Sequence, residues 1–174
     1  MGLLFVSSLY SQGLTNNGAI ITINANASSA APYIIIDGGV NGIFTNQADG
    51  ANQGEVYVLN TGGTMIVPGN WYNTATNGVF NGDGSTVLLN GNNVQRIGPI
   101  AASSGNETQF SNLTLGGTSV KTLDVNTQVG GTAGSGLLDL ADILLELNQN
   151  TLTITNSSSG TSATGAIRFT TGAI

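Results

Sequence analysis

Nine acidic and three basic side chains are all the charge this 174-residue chain carries, and it has neither histidine nor cysteine. Without imidazole there is no Ser-His-Asp relay and no His-held metal; without thiols there is no disulfide, thiolate metal site or Cys nucleophile. Carboxylate chemistry is what remains. Glycoside hydrolysis needs two acids facing each other at about 5 to 9.5 Å across the scissile bond. The acids nearest in sequence are Asp139 and Asp142, with Asp83 and another loop acid as a further pairing. On strands, residues three apart point to opposite faces, so Asp139 and Asp142 read as solvating acids. Lys121, Arg96 and Arg168 are isolated from one another, whereas a β-helix lyase or polygalacturonase calls for clustered acids or a basic catalytic residue on one wall. No catalytic residue, cofactor or metal is predicted, and the chain is not expected to be an enzyme.

Two loops invite a ligand and do not carry one. Asn81-Gly82-Asp83-Gly84-Ser85 is oxygen-rich like a calcium loop, but Thr86 stands where the sixth-position glycine belongs and Asn92 where the twelfth-position acid belongs. It reads as a glycine turn. The run 130–136, GGTAGSG, lacks the Lys-Ser/Thr of a phosphate cradle and reads as a linker. The residues fitted to a binding role are aromatic. Tyr57, Trp71 and Tyr72 are glycan-contact candidates, because rings on a flat wall can stack on sugar faces. Core packing is the competing role for each. Trp71 and Tyr72 are adjacent, so on a strand only one of them faces outward. Thr22, Thr114 and Thr153 are too few and too irregular for an ice-matching row.

The net charge of −6 with three scattered cations excludes a nucleic-acid groove, which needs clustered Lys and Arg to displace counterions. A polybasic membrane contact is excluded on the same ground. Hydrophobic residues make up 40% of the chain and charged ones 7%, where an ordinary soluble domain has about a quarter charged. The mean hydropathy is +0.16. Apolar side chains are abundant enough to build a core, and the wet surface must consist of Thr, Ser and Asn. Twenty-six glycines supply turns, and only three prolines interrupt strands.

The elements are short and extended. From 110 to 155, FSNLTL, KTLDV, LLDL, ILLEL and NTLTIT succeed one another, each with apolar residues two apart. Earlier strands are expected at 19–24, 33–36, around Phe44 and at 56–59, with Asn16, Asn17 and Gly18 in a turn. Tyr33-Ile34-Ile35-Ile36 does not alternate and is expected to be buried on both faces. Pro68 ends one strand and Trp71 starts another. In 137–147, Leu140, Leu144 and Leu147 also keep helical spacing. As strands, Leu138, Leu140, Ile143, Leu145 and Leu147 face in and Asp139, Leu144 and Glu146 face out. The missing capping box and the strand-like NTLTIT just after this run favour strands.

Aromatic-x-Asn recurs at Phe44-Thr45-Asn46, Trp71-Tyr72-Asn73 and Phe110-Ser111-Asn112, and apolar-Thr-apolar at Ile21-Thr22-Ile23, Leu113-Thr114-Leu115 and Leu152-Thr153-Ile154. Degenerate short units throughout predict an all-β fold, a right-handed parallel β-helix, with a β-sandwich as the alternative. Residues 1–11 (MGLLFVSSLYS) are too short to span a bilayer and read as a truncated signal-peptide remnant, the alternative being a first strand. Residues 12–174 read as a solenoid segment continuing beyond its C-terminus.

GLTNNGAIITIN, YIIIDGG, GNWYNTATNGVF, GSTVLLNG, TQFSNLTL and LELNQNTLTITN together resemble the N-terminal region of large secreted and cell-surface repeat proteins of Bacteroidota. The resemblance covers nearly the whole chain. It implies cleavage between Ser11 and Gln12, parallel β-helix turns, and an adhesin-like extracellular or surface-attached product exported by type IX secretion. Surface glycans or other surface proteins are the partners it implies. The chain departs from that pattern in carrying no sorting domain.

Overall fold

A computed structural model describes residues 13–17, 19–24, 33–36, 39, 42–47, 55–59, 63–73, 80–81, 86–98, 108–130 and 136–154. The expectations for residues 1–12, 82–85, 131–135 and 155–174 lie outside the described residues.

The described strands fall into six successive turns. The first runs through β1 (Gly13–Asn17), β2 (Ile20–Asn24) and β3 (Tyr33–Ile35), the second through β4 (Ile43–Gln47), β5 (Glu55–Leu59) and β6 (Thr64–Val67). Then come β7 (Trp71–Asn73), β8 (Phe80–Asn81) and β9 (Thr86–Leu89), followed by β10 (Gln95–Gly98), β11 (Thr108–Phe110) and β12 (Asn112–Leu115). The fifth turn holds β13 (Lys121–Leu123), β14 (Thr127–Val129) and β15 (Leu138–Asp139); the sixth holds β16 (Leu145–Glu146) and β17 (Leu152–Ile154). Every third strand stacks in parallel on the one before. This gives a first wall of β1-β4-β7-β10-β13-β16 and a third wall of β3-β6-β9-β12-β15. The second wall lies between them in two sections, β2-β5-β8 and β11-β14-β17. The fold is a right-handed parallel β-helix. A sandwich would need antiparallel pairing between consecutive strands, and the described strands pair only in parallel.

Alternation explains why these segments became walls. In β12, Leu113 and Leu115 are fully buried while Asn112 and Thr114 are half-exposed. Parallel in-register stacking then turns each inward position into a column. On the first wall the column is Leu14, Phe44, Trp71, Ile97 and Leu123. On the third it is Ile34, Met65, Val87, Leu113 and Leu138. Trp71 joins the walls: its ring lies 4.4 Å from Phe44 on the turn below and 5.1 Å from Phe110. Burying each such side chain contributes about 1.5 to 3 kcal/mol.

On the first wall an inward column is made of amides. Asn16 Nδ2 donates to Asn46 Oδ1 at 2.9 Å, and Asn46 Nδ2 to Asn73 Oδ1 at 3.2 Å. All three are at most 5% exposed. Like side chains stack here because an amide is donor and acceptor at once, so each serves the next.

The repeats divide accordingly. Phe44-Thr45-Asn46 and Trp71-Tyr72-Asn73 are in register on the first wall, with Leu14-Thr15-Asn16 beneath them. Phe110-Ser111-Asn112 instead straddles the bend between β11 and β12 and belongs to other walls. The three apolar-Thr-apolar triplets likewise fall in separate stretches of sheet.

Residues 137–147 are strands and turns, with Leu138, Leu140 and Leu145 buried and Ile143 and Leu147 packed against the core. Two expectations need correction. Tyr33–Ile36 is not buried on both faces: Ile35 is 56% exposed, while Ile36 is buried and Ile34 half-buried, because alternation along β3 turns Ile35 to the outer face of the third wall. Asn16 and Asn17 lie in β1 rather than in a turn, and the bend after them uses the Asn16 side chain, which accepts from Ala19 N at 3.1 Å and donates to Ala19 O at 2.8 Å.

Replacing Leu113 by Ala is expected to destabilise the protein by about 2 to 5 kcal/mol, and Thr114→Ala by less than about 0.5 kcal/mol, in urea titrations. Equal effects would contradict the inward-outward assignment. Asn46→Ala removes the middle of the amide column and is expected to cost about 1 to 3 kcal/mol by the same measurement.

Candidate functional site

The outer face of the first wall gathers polar and aromatic side chains from four successive turns. Asn70 Nδ2 donates to the Tyr72 hydroxyl at 2.7 Å, and Asn70 Oδ1 accepts the backbone N–H of Arg96 at 2.9 Å. The Arg96 guanidinium grips Asp124 with two bonds, Nη2 to Oδ1 at 2.9 Å and Nε to Oδ2. Asn148, on the sixth turn, donates to Leu123 O at 3.1 Å and to Asp124 Oδ1 at 3.4 Å.

A glycine makes this arrangement possible. Gly98 pairs with Tyr72 in the ladder, and a Cβ built there would lie 2.7 Å from the Asp124 Cβ. The bare position lets Asp124 lean across and reach Arg96. The hydrogen bond and charge of Asp124 raise the Arg96 guanidinium above its usual range. Arg96 is about half exposed and Asp124 about a quarter, so the pair is a screened surface bridge.

The glycan-contact candidates separate here. Tyr72 faces outward and is half-buried, with its hydroxyl held by Asn70. Trp71 is 2% exposed, and its ring is enclosed between Phe44 and Phe110, which leaves no open face for a sugar. It takes the core role. Tyr57 sits in β5 opposite Thr22, and its side chain lies outside the described residues.

Among the described residues the acids do not converge. Asp139 is on the third wall and accepts the Ala141 N–H at 3.0 Å, whereas Asp142 is exposed in the adjoining turn, with φ of 65°. Glu146 is on the first wall beside Thr122. Among the described residues no group of three or more His, Cys, Asp or Glu side chains could hold a metal. No described helix is long and apolar enough to cross a membrane.

Sequence reasoning missed Lys121. Counted only as one of three scattered cations, it is fully buried at the corner between the third and first walls, where its Nζ donates to Gly91 O at 2.8 Å. Gln95 stands next to it in the ladder and is 1% exposed. Gln95 Nε2 donates to Val67 O at 2.9 Å and to Gly69 O, and its Oε1 accepts Gly91 N–H at 2.6 Å. The signal was present in the alternation: Lys121 shares the parity of Leu123, and Gln95 that of Ile97. Burial pushes the Lys121 amine down from 10.5 to about 8.

Compared with known proteins, the chain matches no family model, no curated relative and no solved structure.

Lys121 fixes a pH dependence. Between pH 8 and 10.5 the unfolded chain holds a proton that the fold has released, so stability should rise with pH across that window. As pH falls through 8 that contribution is lost, and below it both states are protonated. Lys121→Met is expected to remove this rise, read as the wild-type minus variant difference in urea midpoints through the window. A difference that does not change with pH would contradict the burial of an ionisable amine.

Proposed function

We propose that this chain is an extracellular or cell-surface, adhesin-like structural segment without catalytic activity of its own. The observation that carries the reading is the filled interior. Among the described residues, inward side chains of all three walls form one packed core, in which Trp71 of the first wall lies between Phe44 of the same wall and Phe110 of the second. A charged content of 7% and a surface of Thr, Asn and Gly suit a passive, protease-resistant stack. The export route implied by the leader-like residues 1–11 belongs to the same proposal. Expression of the full chain in a bacterial host should deliver it outside the cytoplasm with Gln12 as its first residue. Retention in the cytoplasm with the leader intact would contradict the location.

A second reading, a carbohydrate-binding or carbohydrate-active β-helix, is favoured by one group: Tyr72 beside Asn70, Arg96 and Asp124 on the first wall. Sugars are recognised by a ring face together with planar hydrogen-bonding groups, and this wall offers both. A glycan array separates the readings. No binding supports the structural segment. Binding that Tyr72→Ala weakens by about tenfold or more, with the urea midpoint unchanged, supports the carbohydrate reading.

A further inference from the structure

The corner holding Gln95 also holds a reactive dipeptide, Asn90-Gly91. An asparagine with glycine after it is prone to cyclise, because glycine has no side chain to shield its nitrogen and its backbone bends readily. Elsewhere a bulkier residue could slow this reaction. Here it cannot: a Cβ on Gly91 would collide with Pro68 O and with the Gln95 side chain. The fold requires the glycine and thereby retains its chemistry.

We propose that Asn90-Gly91 is a latent deamidation site and that Gln95 holds it closed. The reaction needs the Gly91 nitrogen as nucleophile. That nitrogen, after losing its proton to base, attacks Asn90 Cγ; the new N–Cγ bond closes a succinimide, and the Cγ–Nδ2 bond breaks to release ammonia. Water then opens either ring carbonyl to give aspartate or isoaspartate. In the folded protein the Gly91 N–H is instead donated to Gln95 Oε1 at 2.6 Å. Gln95 is fixed in turn by Val67 O and Gly69 O, so the acceptor cannot swing away. The electrophile has no such restraint: Asn90 Oδ1 is enclosed and has no hydrogen-bond partner among the described residues. The Asn90 backbone is held by its N–H to Val67 O at 3.3 Å, so among side-chain contacts the protection rests on the nucleophile.

Deamidation at this corner would disturb the turn stacked on it. Gly117, on that next turn, has φ of 77° and leaves no space for a Cβ against Gly91 O. An isoaspartate at position 90 adds a methylene to the backbone beneath that contact, and Lys121 loses its fixed carbonyl at Gly91.

The test is alkaline ageing of the full chain, with peptide mass analysis for amide-to-acid exchange at Asn90. A synthetic peptide spanning residues 87–97 provides the unstructured rate. The wild-type protein should deamidate at least about a hundredfold more slowly than the peptide, and Gln95→Ala at least about tenfold faster than wild type. Val87→Ala loosens the same turn without touching the Gly91 bond. It should age more slowly than Gln95→Ala when the two are compared at equal stability. A Gln95→Ala rate equal to wild type, a Val87→Ala rate matching Gln95→Ala, or a wild-type rate near the peptide's each overturns the proposal. Should Gln95→Ala fail to fold, amide exchange of wild-type Gly91 decides. Protection comparable to Leu113 N–H, a ladder amide bonded to Leu137 O, supports the guard, and exchange like an exposed amide overturns it.

Discussion

The structure depends on how closely successive backbones approach at the corner between the third and first walls. Gly69 N donates to Gly42 O at 3.0 Å, and a Cβ on Gly69 would lie 2.7 Å from the Gly42 carbonyl carbon. Gly91 and Gly117 repeat the crowding on the next turns. A parallel ladder holds its strands about 4.7 to 4.9 Å apart, and a corner carrying side chains would force the turns wider than that. Glycine keeps the corner as thin as the walls. Tight corners also strand carbonyls indoors, where an unmet acceptor costs about 1 to 3 kcal/mol. Gln95 and Lys121 answer that need, bonding Val67, Gly69 and Gly91.

In-register stacking decides which residues the interior accepts. Every inward side chain has copies of its own position above and below it, so a column must tolerate self-contact. Aliphatic and aromatic groups do, and Asn does because its amide is self-complementary, as in Asn16-Asn46-Asn73. A column of lysines would not. Lys121 is accommodated because its neighbours in the ladder are Gln95 and Leu145, so no second positive charge stacks on it. Its remaining cost is desolvation, which shows as the lowered affinity of the amine for its proton.

These constraints explain which features are legible in the sequence. Strand positions and inward parity at Leu113, Leu115, Leu138, Leu140 and Leu145 come from local alternation, and the structure agrees with them. Register between turns is not local. It depends on loop lengths, and ladder-related bonds join residues 30 apart at Asn16 and Asn46 but 25 apart at Asn112 and Leu137. Irregular spacing is why Phe110-Ser111-Asn112 imitates the first-wall motif without sharing its wall. Lys121 and Ile35 depart from expectation for a related reason: parity, rather than residue type, decides which way each one faces. At Lys121 the corner carbonyl makes a buried amine tolerable. At Ile35 the side chain faces the outer side of a wall that sequence alone suggests is enclosed, and it is 56% exposed. For the candidate site, Tyr72 is legible as one of an outward-inward pair. Its neighbours Asn70, Arg96 and Asp124 come from three turns and can be assembled only once the register is known.

Stability and surface chemistry are consequently carried by different residues. The columns and the corner hold the turns together, whereas an exposed bridge such as Arg96–Asp124 contributes only about 0 to 1 kcal/mol. Removing it leaves both partners in water rather than stranding a buried charge. The fold therefore places little demand on the identity of the residues at Tyr72, Arg96 and Asp124. An aromatic ring, a forked cation and a carboxylate brought together on one wall are not explained by packing, and that surplus makes this face the one on which to seek a partner.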